Sequence, residues 1–280
     1  MSKILYNALG STSLKDIVND VQKASMQLGV DFFGVGALAR NVWYVSNDEN
    51  PRGTKGVDFG VYVSNSETYN KLKNLLIEKF SYVRISTNAF CLMSPYGIPL
   101  DLLPFGEIEK NGKVLIEGKG LVTINLDGFF ETYSKGLIEI EIEDNRIKIC
   151  SIPSVVLLKL IAYDDRPSYR LNDPIDIDSI IRHYPKLETE MIWAEYSFLY
   201  NDDSISHEEI GIKVLGYELS KVISENETLI SRVISILDRG IELKSELAES
   251  MIQDTLNETI EGKVKNLKML RKGVIEGLKK

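Results

Sequence analysis

Two aspartates stand inside apolar runs that are typical of β-strands. Asp58 lies within residues 57–63 and Asp101 within residues 98–106. β-branched and aromatic residues dominate the first run, so every second side chain would share the face of Asp58. A carboxylate in the middle of such a strand is unfavourable unless a cation, a basic side chain or water meets it. Alternatively, Asp58 lies at a strand end and accepts hydrogen bonds from the preceding loop.

The presence of two such acids predicts more than either does alone. If the two strands are neighbours, Asp58 and Asp101 can converge on one divalent cation with oxygen-only ligands. The ion would offset the repulsion between the two negative charges. The sequence therefore predicts a metal site formed by Asp58 and Asp101.

A glycine-interrupted segment precedes the first aspartate. Residues 30–40 form a short apolar strand that breaks at Gly34 and Gly36 into a helix. Glycines at such a junction let the backbone approach a phosphate, whose charge is favoured by the amino end of the helix. The same glycines can also serve a tight turn that binds nothing.

Charged residues recur in the middle of the chain. Lys159 lies in the apolar stripe of a predicted helix, and Arg166 follows seven residues later on nearly the same face. The Lys159 amine either extends to the surface or points into a polar cleft as a phosphate ligand. Asp173 and Asp176 open the next predicted helix, where acids complement the helix dipole.

The order of elements predicts an α+β fold, in which a mixed sheet is flanked by helices and followed by a C-terminal helical bundle. The shift in composition near residue 204, after which no proline occurs, divides the chain into residues 1–204 and 205–280. The bundle is expected to contain three or four helices. Its last helix is rich in basic residues, which either complement its own dipole or form a patch for RNA. The other predicted elements are helices 14–28 and 66–80, and strands 82–85, 89–93, 114–116, 121–124 and 137–149.

The composition is that of an ordinary globular protein. The 280 residues are 44% hydrophobic and 26% charged, and the net charge of -8 argues against a surface that coats nucleic acid uniformly. No apolar run approaches the roughly 20 residues of a membrane helix, and the amino terminus lacks a signal-peptide core. We therefore expect a cytoplasmic protein without a membrane partner. Cys91 and Cys150 match no metal spacing, and His183 and His207 are the only histidines.

Five segments in order resemble the nucleotidyltransferases of the AbiEii/AbiGii toxin group, within the polymerase-beta-like superfamily. The resemblance covers about residues 30–185. The segments are Gly34-Val-Gly-Ala-Leu-Ala-Arg40, Arg52-Gly-Thr-Lys-Gly-Val-Asp58, Leu100-Asp-Leu-Leu-Pro-Phe-Gly106, Lys159-Leu-Ile-Ala-Tyr-Asp-Asp-Arg166 and Asn172-Asp-Pro-Ile-Asp176.

The resemblance implies a role for each matching residue. Asp58 and Asp101 would be catalytic ligands of Mg²⁺, with Lys159 and Asp173 as further catalytic residues. The nucleotide would be bound by Gly34, Gly36, Ala37, Arg40, Arg52, Thr54, Lys159 and Arg166. Two positions depart from the family pattern, because Gly56 replaces its first acid and Ala37 replaces a serine or glycine.

The resemblance also implies the function. It predicts a nucleotidyltransferase that binds a nucleoside triphosphate with Mg²⁺ and transfers a nucleotide to a hydroxyl of a protein or an RNA such as tRNA. The protein would be the toxin of a bacterial toxin-antitoxin system and would have an antitoxin partner. Because Gly56 removes one acid, the alternative is a degenerate relative that binds a nucleotide or a partner without catalysis.

Overall fold

The computed structural model describes residues 4–10, 13–51, 53–54, 56–110, 112–202, 204–242, 244–253 and 258–279. The chain divides into two compact units. One comprises residues 1–133 and 137–151, and the other comprises residues 134–136 and 152–280. The units thus separate near Ser151, whereas the shift in composition predicts a domain boundary at residue 204.

A seven-stranded mixed sheet organises the first unit. Its strands lie in the order β3-β4-β5-β2-β1-β9-β8, and a two-stranded sheet of β6 and β7 accompanies it. Strand β2 lies between β5, to which it is parallel, and β1, to which it is antiparallel. The strands are β1 (Asp31–Gly34), β2 (Val57–Tyr62), β3 (Val83–Arg84), β4 (Cys91–Met93), β5 (Pro99–Phe105), β6 (Lys113–Leu115), β7 (Thr123–Asn125), β8 (Leu137–Ile142) and β9 (Asn145–Cys150).

One predicted strand is wrong. Residues 137–149 form two antiparallel strands, β8 and β9, instead of one long strand. The chain reverses at Glu143, which adopts a left-handed φ of 53°. The turn escaped prediction because a glutamate, and not a glycine, occupies the left-handed position.

Several helices of the first unit begin or end at residue types that commonly cap helices. They are a short 3-10 helix (Tyr6–Leu9), α1 (Leu14–Leu28), α2 (Gly36–Ser46), α3 (Ser66–Phe80) and α4 (Phe129–Lys135). Gly29 ends α1 with a left-handed φ of 64°. The Asn65 side chain caps α3 by accepting a hydrogen bond from the Thr68 N–H at 2.9 Å. Ser13 precedes α1 and is of a residue type that often caps helices, but its side chain makes no capping hydrogen bond.

The two faces of the sheet differ in character. Aliphatic and aromatic side chains such as Phe59 and Leu102 are fully buried on one face. On the other face, Tyr62 stacks on Tyr133 of α4 with ring centroids 5.2 Å apart, and Phe105 packs on Phe129. Helix α4 thus covers this face at the Tyr62 end of β2, whereas Asp58 lies toward the other end of the same strand.

A buried lysine lies between α3 and the sheet. Lys73 is 1% exposed, and its Nζ donates to the backbone oxygen of Ala89 at 2.7 Å. Burial lowers the pKa of Lys73 to about 8, and the nearby Arg84 adds to the effect. Below pH 8 the folded protein therefore bears the cost of a buried ammonium group.

Replacing Lys73 by methionine should change how stability depends on pH. Between about pH 8 and pH 10.5 the unfolded chain keeps the Lys73 proton while the folded chain releases it, so this group makes the wild type more stable as pH rises. We expect the unfolding free energy of Lys73→Met, relative to wild type, to fall by about 2 kcal/mol from pH 7 to pH 10, after allowance for solvent screening. Urea titrations at several pH values measure it. Lys71→Met on the exposed side of α3 is the matched control; equal pH profiles for both variants would contradict the expectation.

The second unit is a helical bundle. Its helices are α5 (Ile152–Asp165), α6 (Asn172–Leu187), α7 (Thr189–Tyr196), α8 (His207–Ile223), α9 (Glu227–Gly240), α10 (Glu246–Ser250) and α11 (Ile260–Gly277), with 3-10 turns at Pro167–Tyr169 and Ser197–Asn201. The mixed sheet with flanking helices and the C-terminal bundle confirm the predicted α+β class. Within the described ranges, every helix is too short or too polar to cross a membrane.

Helices α8 and α11 cross at very close range because glycines line their contact. A Cβ on Gly216 would lie 2.3 Å from the backbone oxygen of Leu270, and a Cβ on Gly273 would lie 2.0 Å from that of Lys213. Real Cβ atoms are not found at such distances from a carbonyl oxygen. Only glycine therefore allows this crossing.

Several basic residues of α11 are used within the bundle. Lys263 is buried and pairs with Asp178 at 2.8 Å, and Lys265 pairs with Glu209 at 3.1 Å. Arg271 pairs with Asp238. The basic character of this helix is thus partly explained by ion pairs to neighbouring helices.

Candidate active site

The two predicted aspartates stand side by side. Strands β2 and β5 are parallel, and their register makes Asp58 and Asp101 direct partners. Paired residues of neighbouring strands project from the same face of a sheet, and the strands are about 4.8 Å apart. Both side chains are half-buried. The condition on which the predicted convergence of the two carboxylates depends, that the two strands are neighbours, is therefore met.

The amino end of α2 lies next to Asp58. The Val35 N–H donates to the backbone oxygen of Asp58 at 3.1 Å. Gly36 has a φ of 57°, and a Cβ on it would lie 3.2 Å from Asp58 Oδ2, so glycine lets the backbone turn tightly against the carboxylate. Val35 provides no side-chain cap, and no acidic residue occupies the first turn. The first N–H groups of α2, which have no acceptor within the helix, therefore suit an anionic group beside the two carboxylates.

Glycine is required at position 34 for a different reason than at position 36. A Cβ on Gly34 would lie 2.7 Å from Leu38 Cδ2 and 3.1 Å from Ile149 Cγ2. Gly34 thus permits close packing between strand β1, helix α2 and strand β9. Ala37 lies in the first turn of α2 and is half-buried.

The loop before β2 contains two further predicted residues. The Thr54 hydroxyl donates to the Gly56 backbone oxygen at 2.7 Å and accepts from the Gly56 N–H at 3.4 Å, so Thr54 shapes this loop. Arg52 lies outside the described residues. A Cβ on Gly56 would lie 3.2 Å from the backbone oxygen of Pro99. Any side chain at position 56 is therefore tightly restricted.

Arg40 is buried. The residue is 2% exposed, and its Nη2 donates to Asn41 Oδ1 at 2.9 Å. The Asn41 amide in turn donates to the backbone oxygen of Leu9 at 3.1 Å. The guanidinium is thus part of a polar network that links α2 to the short 3-10 helix at residues 6–9.

Two residues that the sequence did not single out lie beside Asp101. The Asn88 side-chain amide donates to Asp101 Oδ1 at 3.3 Å. Cys91 is the partner of Asp101 in the pairing of β4 with β5, so aspartate, aspartate and cysteine form a row across three strands. Burial raises the pKa of the Cys91 thiol, and the Asp101 carboxylate adds to the shift. The thiol is therefore protonated at neutral pH.

Three other predicted residues belong to the second unit. Lys159 is 9% exposed, and its amine pairs with Asp173 at 2.6 Å and with Asp176 at 2.9 Å. Asp173 thus holds Lys159 in place instead of acting only as a helix cap. Arg166 is half-buried at the end of α5, where burial and the neighbouring Arg170 lower the pKa of its guanidinium.

A separate cavity of about 330 Å³ lies at the beginning of β1. In the antiparallel register of β1 and β2, Asp31 pairs with Tyr62, at the end of β2 remote from Asp58. The cavity is therefore distinct from the carboxylate pair. Its lining includes Gln22, Ser25, Asp31, Arg146 and Lys148.

No family model and no curated protein match the chain. Among solved structures, the chain is similar to an antigenic nucleotidyltransferase-like protein from Paracoccidioides brasiliensis. The identity is 15%, the coverage is 71% of this chain and 94% of that chain, and the TM-score is 0.42. It is also similar to the antibiotic-resistance factor ANT(2'')-Ia, with 12% identity, coverage of 68% and 96%, and a TM-score of 0.39. Such a likeness assigns no role to any residue of this chain.

The two carboxylates fit a magnesium site that is completed by substrate and water, and not a site made of protein ligands alone. Within the part of the chain that the structure describes, no three Asp, Glu, His or Cys residues form a cluster able to hold a metal. Mg²⁺ commonly uses one or two carboxylates, and substrate phosphates and water complete its octahedron. Asp58 and Asp101 provide those carboxylates, and the N–H groups at the start of α2 lie where phosphates could complete the site.

Proposed function

We propose that this protein is a Mg²⁺-dependent nucleotidyltransferase that uses a nucleoside triphosphate. The observation that carries the proposal is the register pairing of Asp58 with Asp101 beside the glycine-initiated helix α2. A carboxylate pair attracts a divalent cation, and a helix amino end attracts phosphate. Their adjacency matches the two charged parts of a metal-bound triphosphate.

The chain's own residues would divide the work as follows. Asp58 and Asp101 hold the ion, and the N–H groups of Gly36 and Ala37 contact phosphate oxygens. The acceptor hydroxyl oxygen forms a bond to the α-phosphorus while the bond to pyrophosphate breaks, and the hydroxyl proton passes to solvent. When bound, Mg²⁺ would supply charge stabilisation on the phosphates and acidify the attacking hydroxyl.

The roles of the second-unit residues also belong to the proposal. Lys159 would contact phosphates, and Asp173 would orient its amine, which is consistent with their 2.6 Å ion pair. Arg166 would contribute a further positive charge. The acceptor would be a hydroxyl of a protein or of an RNA such as tRNA, and the protein would act as the toxin of a toxin-antitoxin pair.

A second candidate function, nucleotide binding without transfer, is supported by the residue at position 56. Gly56 stands where the resembled family has its first acid, so the protein would bind a nucleotide without transferring it. Gly56→Asp separates the two functions, because Mg²⁺-dependent labelling that appears only in this variant would favour the binding protein. Gly56→Ala controls for the contact that any Cβ makes with the Pro99 carbonyl.

Ligand binding is the first test of the proposal. A ligand that binds only the folded state stabilises it by mass action, by about 2.7 kcal/mol at a concentration one hundred times its dissociation constant. We expect at least one of the four nucleoside triphosphates to raise the melting temperature, and to do so more strongly with Mg²⁺ than with EDTA. Equal melting temperatures across the panel would contradict both candidate functions that involve a nucleotide.

A further inference from the structure

We propose that Asn88 is a positioning residue for Asp101 and that the turn between β6 and β7 holds Asn88 in place. This inference rests on the proposed function, because it concerns how one of the two carboxylates is aimed. Asn88 lies outside the named helices and strands, and none of the resembled motifs includes it. Its side-chain amide nevertheless donates a hydrogen bond to Asp101.

The orientation of the Asn88 amide is determined by its second hydrogen bond. Asn88 Oδ1 accepts from the Phe90 N–H at 3.0 Å. The NH₂ group must therefore face the other way, where it donates to Asp101 Oδ1 at 3.3 Å. A neutral donor fixes the carboxylate without cancelling its charge, so Asp101 can still attract a cation.

The β6–β7 turn is docked directly on the segment that carries Asn88. The Leu121 N–H donates to the Thr87 oxygen at 2.9 Å, and the Ala89 N–H donates to the Leu121 oxygen at 2.9 Å. Gly120 has a φ of 72°, and a Cβ on it would lie 2.0 Å from the Thr87 oxygen. The backbone on both sides of Asn88 is thus bonded to this turn, and the contact requires glycine at position 120.

Together these contacts form a chain from the turn to the candidate metal site. The turn fixes residues 87–89, the Phe90 N–H fixes the amide of Asn88, and that amide fixes one oxygen of Asp101. Residues that orient a metal ligand typically contribute ten- to hundredfold to metal affinity. Asn88 therefore links the small two-stranded sheet to the candidate site.

Direct metal binding tests the role of Asn88. Mn²⁺ added to the purified full-length protein can be followed by electron paramagnetic resonance as a stand-in for Mg²⁺. We expect Asn88→Ala to weaken Mn²⁺ binding by about ten- to hundredfold. The metal-free variant should also lose some stability, because the Phe90 N–H loses its acceptor, so Mn²⁺ affinity is compared at a temperature at which both proteins are fully folded. Asn74→Ala is the matched control, because Asn74 also has a side-chain partner, from which it accepts a hydrogen bond (Arg84), but it is exposed on α3 and remote from Asp101 in sequence. Equal Mn²⁺ affinity in Asn88→Ala and wild type would overturn the inference.

A second variant perturbs the same chain from its remote end. Gly120→Ala leaves Asn88 and Asp101 intact but displaces Thr87, so it should also weaken Mn²⁺ binding. Gly97→Ala is its control, since Gly97 has a φ of 75° but nothing within 4 Å of its Cβ position. Both substitutions cause similar backbone strain, and only the first moves the Asn88 segment. Equal Mn²⁺ affinity in the two alanine variants would contradict a role of the turn.

Failure of the proposed function would be recognised separately. If the wild type binds no Mn²⁺, the metal site itself is absent and the proposed function fails. The hydrogen bond is then judged by NMR, because the Asn88 side-chain amide protons should exchange slowly with solvent when they are donated to Asp101. This protection should disappear in Asp101→Ala. Asn88 amide protons that exchange equally fast in wild type and in Asp101→Ala would overturn the positioning role whether or not the metal binds.

Discussion

Asp58→Asn should reduce nucleotide transfer by roughly a hundredfold or more. The substitution keeps the size of the side chain and removes the charge that we propose to hold the ion next to the phosphates. Because Asp58 stands beside Asp101, loss of one of two like charges should not destabilise the fold. The measurement is incorporation of a labelled nucleotide into an acceptor fraction, together with the melting temperature of each variant.

Two further variants sharpen this experiment. Asp101→Asn should cause a loss of similar size, and the double variant should be little worse than either single variant, because both carboxylates serve one ion. Asp144→Asn is the control, since Asp144 is exposed in the β8–β9 turn. Labelling by Asp58→Asn within about threefold of wild type would remove Asp58 from the chemistry.

The carboxylate pair was predictable because it depends on local pattern. The β-branched run around Asp58 and the apolar run around Asp101 each identify a strand, and an acid in each suggests a shared site. The sequence could not supply the register, which places these two residues directly opposite each other. Register depends on the whole sheet, in which β5 lies beside β2 although β3 and β4 intervene in sequence.

Asn88 could not be found from the sequence because its role depends on a distant turn. It lies in a short loop of polar residues, where asparagine is common for local reasons. Only the docking of residues 118–121 on residues 87–89 reveals that its amide is fixed toward Asp101. A contact of this kind leaves no periodic signal in the sequence.

The structure groups α5 to α7 with the C-terminal helices, which the shift in composition does not indicate. The composition changes near residue 204, but α5 is apolar on nearly all sides and must be surrounded by other elements. It packs within the bundle, where Tyr163 contacts Ser250 of α10 at 3.0 Å. The change in composition shows only where proline stops occurring. The boundary of a unit depends on which helices pack into the same core, and α5 to α7 pack with the C-terminal helices.

Gly273→Ala should destabilise the second unit by about 3 kcal/mol or more, since overpacking commonly costs 1–3 kcal/mol and backbone must move here. The added methyl group would lie 2.0 Å from the Lys213 carbonyl oxygen, which belongs to a rigid helix and cannot rotate away. Helices α8 and α11 must therefore separate. Chemical denaturation, monitored by circular dichroism, measures the loss.

Gly262→Ala in the same helix provides a control with the opposite sign. Its Cβ would meet only Thr259 Oγ1 at 3.4 Å, and alanine is a better helix former than glycine by about 1 kcal/mol. Gly216→Ala, on the facing helix, should resemble Gly273→Ala. Once one methyl group has separated the helices, the second meets less resistance, so the double variant should cost less than the sum of the two. Additive losses, or a Gly273→Ala protein as stable as wild type, would mean that α8 and α11 do not cross at this distance.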